Sequence, residues 1–547
     1  MARRRTIAAL ALPLAAAVAV VAEPARSVAQ TRDRPPSVTG AVQVTANPNH
    51  VRAHMTPLIA RNPRTGELVV AEVDGRGTRH CNVHISADRG RSWFPGGSFM
   101  VAPFTDCSIG AEFGPHAVPF FDKDGVLYVA FAANDPARLL DSDRPVSTAD
   151  VREDIPRNAY LARSTDGGRT FTTHLVAEGR EGSTQTAYIS APAGAVDADD
   201  PRYVYVTWGQ GDWSNQQDAI KAMVSVSADG GRTWSAPFDL ADGKGADYSW
   251  ITVDRHGVAH AVYWTRGVGT EPADPTQARP GGRKDPTPIY HAWSTDHGRT
   301  WNRQVLDQGN QRLYRAPVIA AAPNSDALYV AWHGFADPIN FQLNREGRDK
   351  VDIFFRASLD GGKTWGERQV VNDDPASGVN HELPGLSVAP NGRVDVAWYD
   401  YRHSPRTSGP GIQDVYYAYS TDQGRTFSPN LRVTDRSIDR SIGVFAGAVG
   451  VNINVGMAST DDEVFVVWQD SRNGRPDTGS EDVYSASVRF GPAALAAGAG
   501  AGTGGSGTNG WAILAAGITM GAGLAMAAVW ALGRARSPAS QGAAHVG

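Results

Sequence analysis

An eight-residue string, Ser-x-Asp-x-Gly-x-Thr-(Trp or Phe), recurs six times in this chain of 547 residues, starting at Ser86, Ser164, Ser227, Ser294, Ser358 and Ser420. The first copy alone departs from it, with Ser92 in place of threonine. The intervals are 78, 63, 67, 64 and 62 residues, a period that demands a repeated supersecondary unit rather than a single irregular core. The string has the chemistry of a tight turn. An aspartate side chain accepts hydrogen bonds from nearby backbone N–H groups, glycine supplies a conformation other residues resist, and the closing aromatic ring can pin the turn to a core. None of this requires a substrate, so Asp88, Asp166, Asp229, Asp296, Asp360 and Asp422 are read as structural.

Each string follows a strand-like run such as AMVSVS or DVYYAYS, and two further apolar runs precede that one. A fourth run follows the string. The unit is therefore four antiparallel strands, with the string between the third and fourth. Strand counting finds a seventh unit after Asn452, in NINVGMASTDD, EVFVVWQD and DVYSASVRF. There Ser485 stands where a seventh string would start, but both the string and a fourth strand are missing. The segment VQVTANP, from Val42 to Pro48, resembles the fourth strands and would fill the gap, which removes an exposed sheet edge. The fold class is all-β: a seven-bladed β-propeller over residues 37–490, with a six-bladed ring carrying one aberrant repeat as the alternative.

The ends of the chain read differently. Arg3, Arg4 and Arg5 precede an apolar run and a small-residue cleavage site, so residues 1–29 are expected to be a signal peptide, by the general secretory or the twin-arginine route. Residues 491–510 are a Gly/Ala-rich linker. Trp511 to Leu532 (residues 511–532) is an uncharged apolar run long enough to cross a bilayer as one transmembrane helix. Arg534 and Arg536 follow it, which places the tail, residues 533–547, in the cytoplasm and the propeller outside the cell membrane. Cys81 and Cys107, the two cysteines, are expected to form a disulfide in an exported protein. A net charge of −5 gives no footprint for nucleic acid.

Insertions point to a binding face. The turns after the first strands and at the strings are short, whereas the connections between second and third strands are long, and insertions confined to one side of a ring mark its binding side. Proline recurs at one place in the first strands (Pro57, Pro119, Pro192, Pro317, Pro384). Counting back from it brings His54, His116, Asp247, Tyr314 and His381 to the mouth of the channel, and next to them Tyr248, Arg315 and Glu382. The three histidines suit either a metal or hydrogen bonds to neighbours and ligand; the chain is read as needing no metal or cofactor. Asp400 with Arg402, and Asp470 with Arg472, form a repeated Asp-x-Arg pattern expected to be an ion pair across the loop. Trp208, Trp264, Trp332, Trp398 and Trp468 share one repeat position and are assigned to the core. Trp213 and Phe335 fall off that register and are candidates for stacking on a ligand.

The octapeptides make the chain resemble the sialidase/neuraminidase-like superfamily of BNR, or Asp-box, repeat proteins, and the resemblance spans nearly all of residues 37–490. It implies a propeller with boxes at the blade periphery. The superfamily includes sialidases, other glycosidases, sorting receptors and non-catalytic assembly factors. A sialidase would use three arginines on the substrate carboxylate, an aspartate as acid/base and a Tyr–Glu nucleophile pair. On this chain the resemblance points to Arg315, Arg402 and Arg472 as clamps, Tyr314 or Tyr248 with Glu382 as nucleophile pair, and Asp247 as acid. The Arg-Ile-Pro string usual on the opening strand is replaced here by HMTPLI. Two functions follow: a binding module for a glycan or protein ligand on the long-loop face, and an exo-acting glycoside hydrolase of sialidase type.

Overall fold

The computed structural model describes residues 35–46, 52–75, 80–99, 107, 117–134, 157–179, 188–211, 221–243, 245–265, 288–308, 317–335, 351–374, 379–404, 411–443 and 454–491. Asp247, Tyr248 and Phe335 are described as backbone only. The expected signal peptide, the linker beyond Gly491, the 511–532 helix and the cytoplasmic tail lie outside the described residues, as do His116, Trp213, Tyr314 and Arg315. Among the described residues no helix is long and apolar enough to cross a membrane.

The described residues form seven antiparallel sheets, one per repeat. Blade 1 comprises His54–Arg61, Leu68–Asp74, His80–Ser86 and Phe94–Pro95. Blades 2 to 5 follow within residues 117–177, 188–239, 246–307 and 318–370. Blade 6 comprises His381–Val388, Val394–Asp400, Ile412–Ser420 and Leu431–Arg432, with Ile438–Asp439 added against the start of its third strand. Blade 7 has Gly456–Ser459, Glu463–Asp470 and Asp482–Arg489. The first strands of neighbouring blades pack side by side around a channel.

Chain closure completes blade 7. Val42 and Gln43 pair with Ser485 and Tyr484, as the fourth-strand likeness of this segment requires. The pairing also begins earlier than the sequence indicated, with Ser37 and Val38 on Arg489 and Val488. Val44 is then buried between blades 7 and 1. Both chain ends of the propeller thus share one sheet, and the last third strand has no open edge.

Every box forms the turn its residues dictate. In the box at Ser294, the serine Oγ donates to Asp296 (2.8 Å) and accepts from the Gly298 amide (2.8 Å), while Asp296 accepts from the Thr300 amide (2.9 Å) and hydroxyl (2.6 Å). The Thr300 hydrogen bonds hold the half-buried Asp296 carboxyl down at about 2. Since the third strand runs from the long-loop face to its box, the boxes sit on the opposite face.

Between blades lie apolar layers. Val394, Val396 and Trp398 pack on blade 5, and Ala397 and Tyr399 on blade 7, the alternation a doubly covered strand requires. Trp208, Trp332, Trp398 and Trp468 are core residues. Blade 4 corrects the sequence alignment by one residue. Ala259 pairs with the box serine Ser294 as Val394 pairs with Ser420, so Tyr263 holds the shared tryptophan position. Trp264 faces the other way, onto blade 5, and Trp250, matched to the repeated proline, takes the place of Gly385. In blade 7, Trp468 pairs with Tyr484 as Trp398 pairs with Tyr416; Val488, not Ser485, therefore stands where a box serine would be. Cys81 and Cys107 are bonded, with Cα atoms 5.6 Å apart, and both are buried.

Candidate functional site at the channel mouth

First strands start, second strands end and third strands start on the long-loop face, so their terminal side chains converge there. The repeated proline shapes this end. It offers no N–H to the ladder, and the first strands bulge there, with register shifts at Met55/Leu58, Ser190/Ala193 and Glu382/Gly385, and at Asp247/Trp250 where no proline stands. In blades 1 and 6 the bulge forces Thr56 (φ 53°) and Leu383 (φ 59°) into the left-handed region, which costs on the order of 1–3 kcal/mol for residues with a Cβ. Each freed amide is caught by the preceding blade. Thr56 N–H donates to Gln469 Oε1 (3.3 Å) and Leu383 N–H to His333 Nδ1 (2.8 Å).

Where blades 6, 7 and 1 meet, the mouth is polar and buried. Tyr399 lies opposite Glu382 in the sheet, and its hydroxyl accepts from the Gln469 backbone N–H (3.5 Å). Gln413 lies two residues before Val415, the sheet partner of Tyr399, and so on the same face of blade 6. Arg440 pairs with Glu481 at 3.4 Å, both buried, and both charges act on Tyr399. Burial first, together with the carboxylates of Asp470 and Glu481, pushes the Tyr399 hydroxyl well up. Among the described residues, Gln413 Oε1 and Nε2, Gln469 Nε2 and Thr56 Oγ1 of this group have no hydrogen-bond partner, and nor does Arg472 Nε on the neighbouring loop. Below, the channel wall turns apolar with Leu58, Val118, Trp250, Val318 and Leu386.

The structure brings several sequence candidates to this end. His54 Nδ1 meets Glu72 at 3.1 Å, and His84 meets the other carboxylate oxygen at 3.2 Å. Glu72 occupies the shared tryptophan position of blade 1; burial pulls its carboxyl up, but the two histidines outweigh it and hold it at about 2. His381 Nδ1 lies 2.8 Å from the Val351 carbonyl oxygen, and Nε2 3.5 Å from Asp400. Glu382 is buried. By the blade 4 correction, Asp247 shares the register of Glu382 rather than of His381. Among the described residues no group of three or more His, Cys, Asp or Glu side chains is placed to hold a metal ion.

The two Asp-x-Arg loops are built alike. Trp398 Nε1 donates to Asp400 (2.9 Å), which Arg402 grips through Nε (3.0 Å) and a terminal nitrogen (2.9 Å); Arg402 also bonds Asp373 (3.1 Å) and lies 4.0 Å over the Tyr416 ring. Trp468 Nε1 donates to Asp470 (2.9 Å), and Arg472 bonds Asp470 (2.7 Å) and Asp435 (2.8 Å), 4.1 Å over Tyr484. Each guanidinium is thus engaged by one carboxylate of its own loop and one that follows the fourth strand of the preceding blade. Sequence reasoning missed Gln413, Gln469, Arg440 and Glu481. Gln469 carried one signal, as the residue after a shared tryptophan; Arg440 directly follows an added strand, Ile438–Asp439, that no other blade repeats among the described residues.

No protein-family model matches the chain, and no curated protein matches its sequence. Solved structures with a similar fold include an α-L-arabinofuranosidase of Fusarium graminearum in complex with arabinobiose (13% identity, 83% of this chain and 98% of that one, TM-score 0.42). A Hadza microbial sialidase aligns at 14% identity over 83% of this chain and 96% of its own, with a TM-score of 0.39. The phage phi92 endosialidase aligns at 9% over 83% and 69%, with a TM-score of 0.43. In fold, with seven antiparallel sheets of four or five strands, the last completed by the N-terminal segment, the chain is an all-β, seven-bladed propeller.

Proposed function

We propose that the chain is a glycan-binding propeller, displayed outside the cell by the 511–532 helix, with its site at the long-loop mouth between blades 6, 7 and 1. The observation that carries this is the concentration of buried, unpartnered amide and hydroxyl atoms on Gln413, Gln469 and Thr56 in one polar group. Buried polar atoms are paired in more than nine cases in ten, so a group left unpaired calls for a further partner, such as a ligand, an ion or water. Amides that both donate and accept suit the hydroxyl groups of a sugar. Replacing Gln413 by leucine separates this role from a structural one. Its amide makes no protein hydrogen bond, so Gln413→Leu should raise the thermal midpoint, by relief of a desolvation penalty of about 1–3 kcal/mol, while weakening binding to oligosaccharides identified on a glycan array. A lower midpoint together with unchanged binding would refute the assignment.

The strained bulge beside Glu382 favours a second reading, hydrolysis. Strain of this kind fixes a group for chemistry, and a buried carboxylate at a channel mouth can serve as general acid or as nucleophile. Glu382→Gln should then abolish turnover of aryl glycosides and leave sugar binding within about threefold, less than a neutral hydrogen bond is worth.

A further inference from the structure

We infer that the channel beneath the mouth takes up an apolar aglycone, so that the ligand is a glycoside carrying an aryl or alkyl group rather than a free sugar. The inference rests on the glycan reading above and deepens it. Leu58, Val118, Trp250 and Val318 hold one register position in blades 1, 2, 4 and 5, each paired with the residue that precedes the shared tryptophan position of its blade. With Leu386 and Met457 they line a cavity of about 70 Å³, room for about five water-sized groups, the bulk of a six-membered ring. Trp250 reaches across the channel. Its indole packs on Leu58 and Val118 and also on the cluster that holds Val318, yet part of its surface stays uncovered. The cavity lies below the polar group of the mouth, since Leu58 follows Thr56 by two residues, one layer down the same strand. Asn454, a polar side chain in its wall, gives its Nδ2 to the Pro384 carbonyl (2.6 Å). A ring bearing hydroxyls would face mainly hydrocarbon in this collar and lose its water, whereas an apolar group and the wall both shed theirs favourably. Cavities lined in this way stay dry and accept aromatic or aliphatic guests. The amides of Gln413 and Gln469 then hold the sugar above, and Trp250 packs on the aglycone below.

The test uses the full chain in phosphatidylcholine nanodiscs and matched methyl and phenyl glycosides of glucose, galactose, xylose and arabinose, with binding followed by calorimetry. Each buried methylene is worth about fourfold in affinity, so a phenyl glycoside should bind more tightly than its methyl partner by about tenfold or more. The ratio should fall below about threefold in Trp250→Leu, which removes the indole, and in Val318→Phe, which fills the cavity. Gln413→Leu should weaken both members of a pair by the same factor and leave the ratio intact. The ratio in the parent protein is read without any substitution, so a channel variant that fails to fold does not suspend the test. Equal binding of methyl and phenyl glycosides, weakened by Gln413→Leu, would overturn the inference and leave the mouth as the glycan site. A phenyl preference that survives both channel variants would put the aglycone outside the channel and overturn the inference as well. No binding by any glycoside, or binding that ignores Gln413→Leu, would overturn the site and the inference together.

Discussion

Replacing Asp395 with alanine should cost the propeller about 3–5 kcal/mol, the penalty for removing one partner of a buried ion pair and leaving the other charged. Asp395 and Arg393 are both buried, at Nε–Oδ1 2.8 Å and Nη2–Oδ2 3.1 Å. The carboxylate also accepts from Tyr417 (2.6 Å) and Ser459 (2.7 Å). Arg393 donates onward to the carbonyls of Thr460 (2.8 Å) and Asp461 (2.7 Å) and lies 3.9 Å over the Phe490 ring. Ser459, Thr460, Asp461 and Phe490 all belong to blade 7, so the network bolts the closing blade to blade 6. Without the carboxylate, the Arg393 charge keeps only neutral carbonyls and a ring. The double variant Arg393→Met with Asp395→Leu should recover most of the loss, because an apolar pair of similar volume carries no desolvation penalty. Urea denaturation followed by tryptophan fluorescence reads both variants; a loss below about 1 kcal/mol in the single variant would place the pair among weak surface bridges.

The boxes were legible because their hydrogen bonds are local: serine, aspartate, glycine and threonine within seven residues make the whole turn. Closure was legible because VQVTANP carries a fourth-strand pattern with no fourth strand beside it. Ser37 and Val38 lacked such a pattern, and their pairing follows from the reach of the third strand of blade 7. The blade 4 register was not legible, because the alignment relied on a proline that blade 4 lacks. The box partner Ala259 gives the correct count, and it shows that Trp250 lines the channel where blades 3, 6 and 7 place Ala193, Gly385 and Gly456. The Asp-x-Arg pairs could be read from spacing alone, since both partners lie two residues apart. Gln413, Gln469 and Arg440 could not. They lie in different blades or outside the repeat, and only the radial assembly gives them a common environment.

Acid should loosen the junction of blades 4 and 5, through a buried chain of two histidines. Gln304 Nε2 donates to the Gly362 carbonyl (2.6 Å) and faces His291 Nδ1 (3.3 Å). Nδ1 accepts there, so the His291 proton sits on Nε2 and points to His260 Nδ1 (3.0 Å); His260 Nε2–H in turn meets Asp254 (3.3 Å). Donors and acceptors alternate along the chain only when both rings are neutral. Trp293 stacks on His291 and Trp365 meets it edge-on, each with centroids at 5.3 Å, and a side chain on Gly362 of the blade 5 box would strike the ring. A second proton on His291, at Nδ1, would face the donating Gln304 Nε2. Burial first, then the closeness of a second imidazole, His260, lowers the His291 pKa from 6.5 to about 3. The unfolded chain therefore binds more protons between those values, and stability, full above about pH 6.5, falls as the pH drops toward 3, by up to about 1.4 kcal/mol per unit. His291→Gln cannot titrate. Its urea midpoint should be flatter with pH than that of the parent between 6.5 and 4.5, above the range where Glu72 and the box aspartates take up protons. Parallel slopes in the two proteins would show that His291 already exchanges its proton freely in the folded state, and that the blade 4–5 junction is open to water.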